Sequence, residues 1–150
     1  MVAYSFNRRF EEPILAGTKC GTIRAVGRRR HARAGDTVQL YVGRRTRQCR
    51  LIGKAVCTSA DLITLLVRDL GSGPRISVVY LGSAPTRPSR MTIETPAALD
   101  EFARSDGFAN ATDMAAFWWS AHRDLISFKE ILFKGVRIQW ALLGGPHAVD

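Results

Sequence analysis

Alternating apolar and polar residues recur in short stretches along most of the chain. The alternation is regular in Val2–Phe6 and in residues 36–42, where Val38, Leu40 and Val42 fall on one side. A period of two is typical of a strand that is buried on one face. Similar short apolar or β-branched runs predict further strands at residues 22–25, 49–58, 62–67, 76–81, 131–133 and 136–142.

Helical spacing occurs in three places. Phe10, Ile14 and Leu15 predict a helix over residues 8–16 that ends at Gly17. Thr95 and Pro96 are a good N-cap and first position for a helix that ends at Asp106-Gly107, and Thr112 can cap another through about residue 122. The intervening segments 26–35 and 83–90 are interpreted as loops.

These elements predict an α+β fold of five to seven strands with two or three flanking helices. A strand set of this size removes its exposed edges most economically by curling into a small barrel. The chain has 150 residues, which is the length of a single domain, and no repeat or linker divides it.

The charge is concentrated in the first part of the chain. The formal net charge is +9, and residues 1–60 contain 13 Lys/Arg against 3 Asp/Glu, so that this part carries +10 and the rest −1. A one-sided positive field favours a polyanion-binding face. The alternative is a surplus of charge that only keeps the protein in solution.

Other classes of protein are disfavoured. No apolar run approaches the ~20 residues of a membrane span, and the first residues lack a secretory signal, so we expect a cytoplasmic protein that does not bind membranes. Its three cysteines and three histidines show no metal-ligand spacing, so neither a metal nor a cofactor is expected. The sequence does not indicate an oligomeric state.

The segment from Gly17 to Arg24 combines groups that carry chemistry. If residues 22–25 are extended, Thr22 and Arg24 point to the same side. Lys19 could activate a hydroxyl or hold an oxyanion, and Arg24 could bind a phosphate or a base edge. Simple solvation of both cations is the alternative, since many loops contain such residues.

The spacing Gly17-x-Lys19-x-x-Thr22-x-Arg24 resembles the signature of the ASCH domain, a member of the PUA-like superfamily. Later segments resemble that family in the same order, over about residues 4–141: 35–41, 102–108 with 114–118, and 136–140. The resemblance implies a single ASCH domain with a PUA-like barrel. It also implies a cleft at the Gly-x-Lys segment that binds RNA or a modified nucleoside or nucleotide.

Threonine at position 22, where many members have glutamate, is similar to the branch that removes the acyl group from N4-acetylcytidine. The resemblance then implies Lys19 as the proton-transfer group and Thr22 as the nucleophile. The acidic member falls near Asp106, where the branch has glutamate. Such a reaction requires burial that lowers the pKa of Lys19 well below ~10.4, while a neighbouring carboxylate would raise it.

Two alternatives to this hydrolase are a non-catalytic module that binds RNA or single-stranded nucleic acid, and a ribonuclease acting on single-stranded RNA. Both would use basic side chains around strand 36–42 for phosphate contacts, and Tyr41 would either stack on a base or be buried in the barrel. The predicted nucleic-acid-binding residues are Arg24, Arg28, Arg29, Arg30, Arg33, Tyr41, Arg44, Arg45 and Arg47.

Overall fold

The computed structural model describes residues 2–82 and 89–144, with side chains except at 79–82 and 89–91. Seven strands form one curled mixed sheet in this part of the chain. They are β1 Val2–Phe6, β2 Gly21–Ala25, β3 Thr37–Val42, β4 Arg50–Asp69, β5 Pro74–Gly82, β6 Ser89–Ile93 and β7 Glu130–Leu142. The α-helices are α1 Glu11–Ala16, α2 Pro96–Ser105 and α3 Ala111–Ala121, with 3-10 turns at Arg8–Phe10 and Arg123–Leu125. The fold is α+β, as predicted.

The long strand β4 organises the sheet. Its first part pairs with β3 and its last part with β5, while β7 runs antiparallel to most of its other edge. The register shifts between Cys57 and Ser59 and between Leu40 and Tyr41. Such bulges bend a strand and increase its twist, so the sheet curls into a half-barrel rather than lying flat.

The curled sheet has a seam between β1 and β2. β1 pairs in parallel with β3, β2 pairs antiparallel with β7, and no backbone ladder between β1 and β2 is present in the described residues. A side chain bridges the seam instead, because Arg24 Nη2 donates to the Ser5 carbonyl at 2.7 Å. The seam is therefore a natural place for a cleft.

Several predicted boundaries are wrong in detail. The two strands predicted at 49–58 and 62–67 are one strand, β4. A bulge between Cys57 and Ser59 shifts its register, and β4 pairs with β7 on both sides of that bulge. The strands at 131–133 and 136–142 are also one, since Gly135 lets β2 approach closely: a Cβ there would collide with the Arg24 carbonyl. The loop at 83–90 falls mostly outside the described residues, although Ser89 opens β6.

Helix α3 begins two residues earlier than predicted. Asn110, not Thr112, is its N-cap, and the Asn110 side chain accepts from the Asp113 amide at 2.8 Å. The predicted helix at 8–16 divides into a 3-10 turn and α1, whose first turn contains Pro13. Helix α3 packs on β5 and on α2, and its buried Met114 joins a core that includes Ile14, Leu40, Leu65, Ile131 and Ile138.

Candidate functional site

Two cavities lie along the seam between β1 and β2. The first, which we call the lysine cavity, measures about 410 Å³ and is lined by Lys19, Thr22 and Asp106 together with an aromatic wall. The second, the arginine cavity, measures about 490 Å³ and is lined by the backbone of β1 and a group of arginines. Ser5, Arg24 and Ala25 line both, so the two cavities are neighbours that share a wall.

The segment that carries Lys19 is fixed by three elements. Gly17 ends α1 in the left-handed conformation (φ 82°), and the Lys19 amide returns to the Pro13 carbonyl at 3.0 Å. The Cys20 amide donates to the Ser105 carbonyl at 3.0 Å, and the Cys20 carbonyl accepts from the Trp140 amide at 2.9 Å. The segment is thus held between α1, the end of α2 and β7, which positions it rigidly.

Lys19 is buried, with only 3% of its surface exposed. Its Nζ donates to the Gly21 carbonyl at 2.8 Å and to the Asp106 carbonyl at 2.5 Å. The Nζ also lies 4.7 Å from the centre of the Phe10 ring. Two carbonyls can be satisfied by a neutral amine as well as by an ammonium, so the remaining tetrahedral position holds either a third proton or a lone pair.

Asp106 is the acidic partner of Lys19. The carboxylate Oδ1 lies 3.5 Å from Lys19 Nζ, has no hydrogen-bond partner and is buried. Asp106 ends α2 and is followed by Gly107, whose φ of 96° is left-handed. A Cβ on Gly107 would lie 2.7 Å from Lys19 Cδ and 2.9 Å from Phe10 Cδ1. Only glycine therefore lets the chain pass over the Lys19 side chain at this point.

Burial moves the pKa values of this pair towards one another. Removal of water lowers the pKa of Lys19 and raises the pKa of Asp106, while the attraction between the two groups opposes both shifts. The positive charge of Arg24 also lowers the pKa of Lys19. Both shifts favour the uncharged forms, and an amine and a carboxylic acid are the forms that act as a base and an acid.

Thr22 is buried on β2 and its hydroxyl is held by Arg24. Arg24 Nε donates to Thr22 Oγ1 at 3.1 Å, while Nη2 of the same guanidinium is bound to Ser5. Because the oxygen accepts this hydrogen bond, the hydroxyl can direct its own proton elsewhere. A cation beside the oxygen would also stabilise negative charge that develops there.

Aromatic residues form the rest of the lysine cavity. Arg9 lies 5.1–5.3 Å from the ring centres of Phe10, Phe108 and Phe117 and is itself bound to Asp113 at 2.7 Å. The aromatic lining consists of Phe6, Phe10, Phe108, Phe117, Trp118, His122 and Phe133. Such a lining suits a planar apolar face.

The arginine cavity is basic. Arg29, Arg30, Arg44 and Arg45 line it with Arg24, and no acidic residue is among its lining in the described part of the chain. Arg30 forms an ion pair with Asp36, whose Oδ2 lies 2.7 Å from Arg30 Nη2.

A buried tyrosine fixes the loop after β2, which carries Arg29 and Arg30. Tyr4 Oη donates to His31 Nδ1 at 3.1 Å and accepts from the Ala32 amide at 3.1 Å. His31 Nε2 donates to the Ala25 carbonyl at 2.7 Å, and since a carbonyl only accepts, this bond assigns the ring hydrogen to Nε2. The network ties the loop after β2 back to β1 and β2, beside the arginine cavity.

The predicted site residues separate into three groups. Lys19, Thr22 and Asp106 come together in the lysine cavity, although Asp106 is far from the other two in sequence. Arg29, Arg30, Arg44 and Arg45 line the arginine cavity, and Arg24 lines both. Four predicted nucleic-acid-binding residues line neither of these cavities, namely Arg28, Arg33, Tyr41 and Arg47.

Tyr41 is half-buried, and its hydroxyl donates to Gln39 Oε1 at 3.2 Å. Arg28, Arg33 and Arg47 are exposed. Within the described ranges no group of three or more His, Cys, Asp and Glu could hold a metal ion. No helix in those ranges is both long and apolar enough to cross a membrane.

Sequence reasoning missed Gly107 and Arg137. Arg137 on β7 is 8% exposed, donates to Ser105 Oγ at 2.8 Å and lowers the pKa of Asp106 through its charge. The available signal was an arginine among apolar residues in a predicted strand. Such a residue is expected to be buried, and a buried arginine needs a partner. For Gly107 the signal was the Asp-Gly pair at a helix end, which indicated a stop and not a close approach to Lys19.

No family model, curated protein or solved structure matches the chain.

Proposed function

We propose that the protein is an ASCH-type domain that binds a modified nucleoside unit in the lysine cavity and hydrolyses its N4-acyl amide. The observation that carries the proposal is the convergence of Lys19, Thr22 and Asp106 on one cavity. Thr22 there receives a hydrogen bond from Arg24, and the Lys19 pKa is lowered by burial. A held hydroxyl, a base and an acid are the groups that acyl transfer requires.

The first step forms an acyl-enzyme. Thr22 Oγ1 attacks the acyl carbonyl, its proton passes to the neutral amine of Lys19, and Arg24 stabilises the charge on the reacting oxygen. The bond between the carbonyl carbon and N4 then breaks. The leaving nitrogen takes a proton from the Asp106 carboxylic acid, so that the cytosine amine departs neutral and the acyl group remains on Thr22 as an ester.

Water completes the cycle. A water molecule gives a proton to the Asp106 carboxylate and attacks the ester carbonyl. The carbon–Oγ1 bond then breaks as the Lys19 ammonium returns its proton to Thr22 Oγ1, and the carboxylic acid is released. Lys19 is again a neutral amine and Asp106 again a carboxylic acid. The reaction needs no metal ligand from the chain.

The volume of the cavity, about 410 Å³, admits a base-sized ligand. Its aromatic lining can contact the face of a pyrimidine ring, and Lys19, Thr22 and Asp106 supply polar groups in the same cavity. Asp106 Oδ1 is buried and has no hydrogen-bond partner, so a ligand amino group could satisfy it.

The direct test is hydrolysis of N4-acetylcytidine by the purified protein, followed by the release of cytidine. Thr22→Val should reduce turnover by at least about a thousandfold, since the nucleophile is removed at nearly constant volume, and Thr22→Ser should retain part of it. Thr18→Val is the matched control: its hydroxyl is exposed, binds only the Pro13 carbonyl and lies outside the cavity. Full turnover in Thr22→Val would refute the assignment.

A second candidate is a nucleic-acid-binding module without chemistry. It is favoured by the exposed Arg28, Arg33 and Arg47, which extend the basic surface beyond both cavities. Binding of single-stranded RNA would then weaken steeply with salt. Arg28→Gln with Arg33→Gln would remove about one to two phosphate contacts and so reduce the slope of log affinity against log salt concentration by about the same number. A flat salt response together with rapid hydrolysis of acylcytidine would exclude this candidate.

A further inference from the structure

We infer that the arginine cavity is the phosphate subsite of the ligand whose base occupies the lysine cavity. This inference rests on the proposed function for the placement of the base. It narrows the ligand class to a nucleoside phosphate, either a mononucleotide or one unit of a single-stranded oligonucleotide, and it makes the free nucleoside the poorer ligand.

The first support is the shared wall. Ser5, Arg24 and Ala25 line both cavities, and the Arg24 guanidinium binds Thr22 Oγ1 and the Ser5 carbonyl. The cavities are therefore adjacent, and the sugar and phosphate of a nucleotide whose base lies in the lysine cavity extend towards the arginine cavity.

The second support is charge. Arginine predominates among the charged residues that line the arginine cavity in the described ranges, and no carboxylate is among them. Arg30 is partly neutralised by Asp36, but Arg29, Arg44 and Arg45 have no ion pair among those found in the described ranges. Planar guanidinium groups match the oxygens of a phosphate, and a neutral nucleoside would leave these charges unused.

The third support is the turn that presents two of these arginines. The Thr46 amide donates to the Gly43 carbonyl at 3.0 Å, which closes a β-turn with Arg44 and Arg45 at its central positions. Arg45 has a φ of 73°, in the left-handed region that favours glycine. The chain thus keeps an arginine where glycine would fit the backbone better, and strain retained in this way is characteristic of a functional position.

Equilibrium binding to the Thr22→Val protein isolates the subsite from turnover. The probes are cytidine, cytidine 5′-monophosphate and a cytidine decamer oligoribonucleotide, titrated at low salt. We expect the monophosphate to bind roughly tenfold or more tightly than cytidine, because hydrogen bonds between charged groups are among the stronger ones. Arg44→Gln with Arg45→Gln should remove this difference, because the monophosphate loses its two cationic partners.

The matched control is Arg28→Gln with Arg33→Gln, which removes equal charge from exposed positions outside both cavities. It should preserve the preference for the monophosphate. A decamer that binds more tightly than the monophosphate assigns the subsite to polymers, and equal binding assigns it to mononucleotides. Equal affinity for cytidine and its monophosphate, or an equal loss in the control, would overturn the inference.

Arg45→Gly gives an independent check. It relieves the left-handed backbone, so thermal stability should not fall, while part of the preference for phosphate should be lost. Retained preference in this variant and in the double glutamine variant would also overturn the inference. Failure of the proposed hydrolysis gives a different result from failure of the phosphate subsite. In that case wild-type protein would leave N4-acetylcytidine and its 5′-monophosphate intact, while the arginine-dependent binding would persist.

Discussion

Arg24 Nε donates a hydrogen bond to Thr22 Oγ1 at 3.1 Å, and the same guanidinium bridges the seam to the Ser5 carbonyl. Thr22 and Arg24 are two positions apart on β2, so their side chains lie on one face of the strand. The same side chain therefore bridges the seam between β1 and β2 and holds the proposed nucleophile. It also places a fixed positive charge within electrostatic range of Lys19.

This charge predicts opposite pH shifts in two variants. Arg24 lowers the pKa of Lys19 and Asp106 raises it. Arg24→Met should therefore move the acidic limb of the pH–rate profile for N4-acetylcytidine to higher pH, and Asp106→Asn should move it to lower pH, because Lys19 acts as a base only when neutral.

Arg24→Met should also reduce kcat by about a hundredfold, because it removes the cation that stabilises negative charge on Thr22 Oγ1. Arg24→Lys is its control, since it keeps the charge and should keep the acidic limb near the wild-type pH. Limbs that move in the same direction in Arg24→Met and Asp106→Asn would contradict the role of Lys19 as the base.

Gly107→Ala should destabilise the protein by roughly 2–4 kcal/mol, the sum of a left-handed backbone and an overpacked contact with Lys19. Gly17→Ala separates the two causes, because Gly17 is also left-handed (φ 82°) but a Cβ there meets no atom within 4 Å. We expect about 1 kcal/mol for that control. Denaturant unfolding of both variants measures the difference, and equal costs would show that Lys19 does not restrict position 107.

Burial of Lys19 predicts a stability that increases with pH. The folded protein releases the Lys19 proton at a lower pH than the unfolded chain, whose ordinary value is 10.5. Between the lowered pKa and 10.5 the unfolded chain binds more protons, so the free energy of unfolding rises as pH rises through this window and is lowest below it.

The measurement compares Asp106→Asn with the double variant Lys19→Met and Asp106→Asn, so that the carboxyl group does not titrate in either protein. The difference in free energy of unfolding should change in favour of the lysine protein as the pH rises from the lowered pKa of Lys19 towards 10.5. Lys134→Met, at an exposed position of β7, is the matched control for the loss of a lysine from the surface. A difference for Lys19 that does not change with pH would show that its pKa is not lowered.

Tyr4→Phe should cost about 1–3 kcal/mol, because it leaves the Ala32 amide without its acceptor and frees His31 Nδ1. Tyr41→Phe is the matched control. It loses only a bond to Gln39 at a half-buried position and should cost less than about 0.5 kcal/mol. Comparable losses of stability in the two variants would contradict the role of Tyr4 in fixing the loop after β2.

The local pattern of the sequence determined most of the secondary structure. Alternation located β1 and β3, and Thr95 with Pro96 located the start of α2, because these signals depend on neighbouring residues alone. It failed where a long-range partner overrode the local signal. Polar residues near Ser59 and the glycine at 135 predicted breaks, yet a bulge and a close approach of β2 keep β4 and β7 continuous.

The sequence by itself also determined which residue types were available for chemistry, a lysine, a threonine and an arginine within one short segment. Only the tertiary structure brought Asp106 to Lys19, since the end of α2 meets that segment through the Ser105 carbonyl. It also divided the arginines between a cavity and the exposed surface. Spacing along the chain determines which way side chains point over a few residues. The burial of a group, the charges around it and its pKa depend on which distant segments pack together.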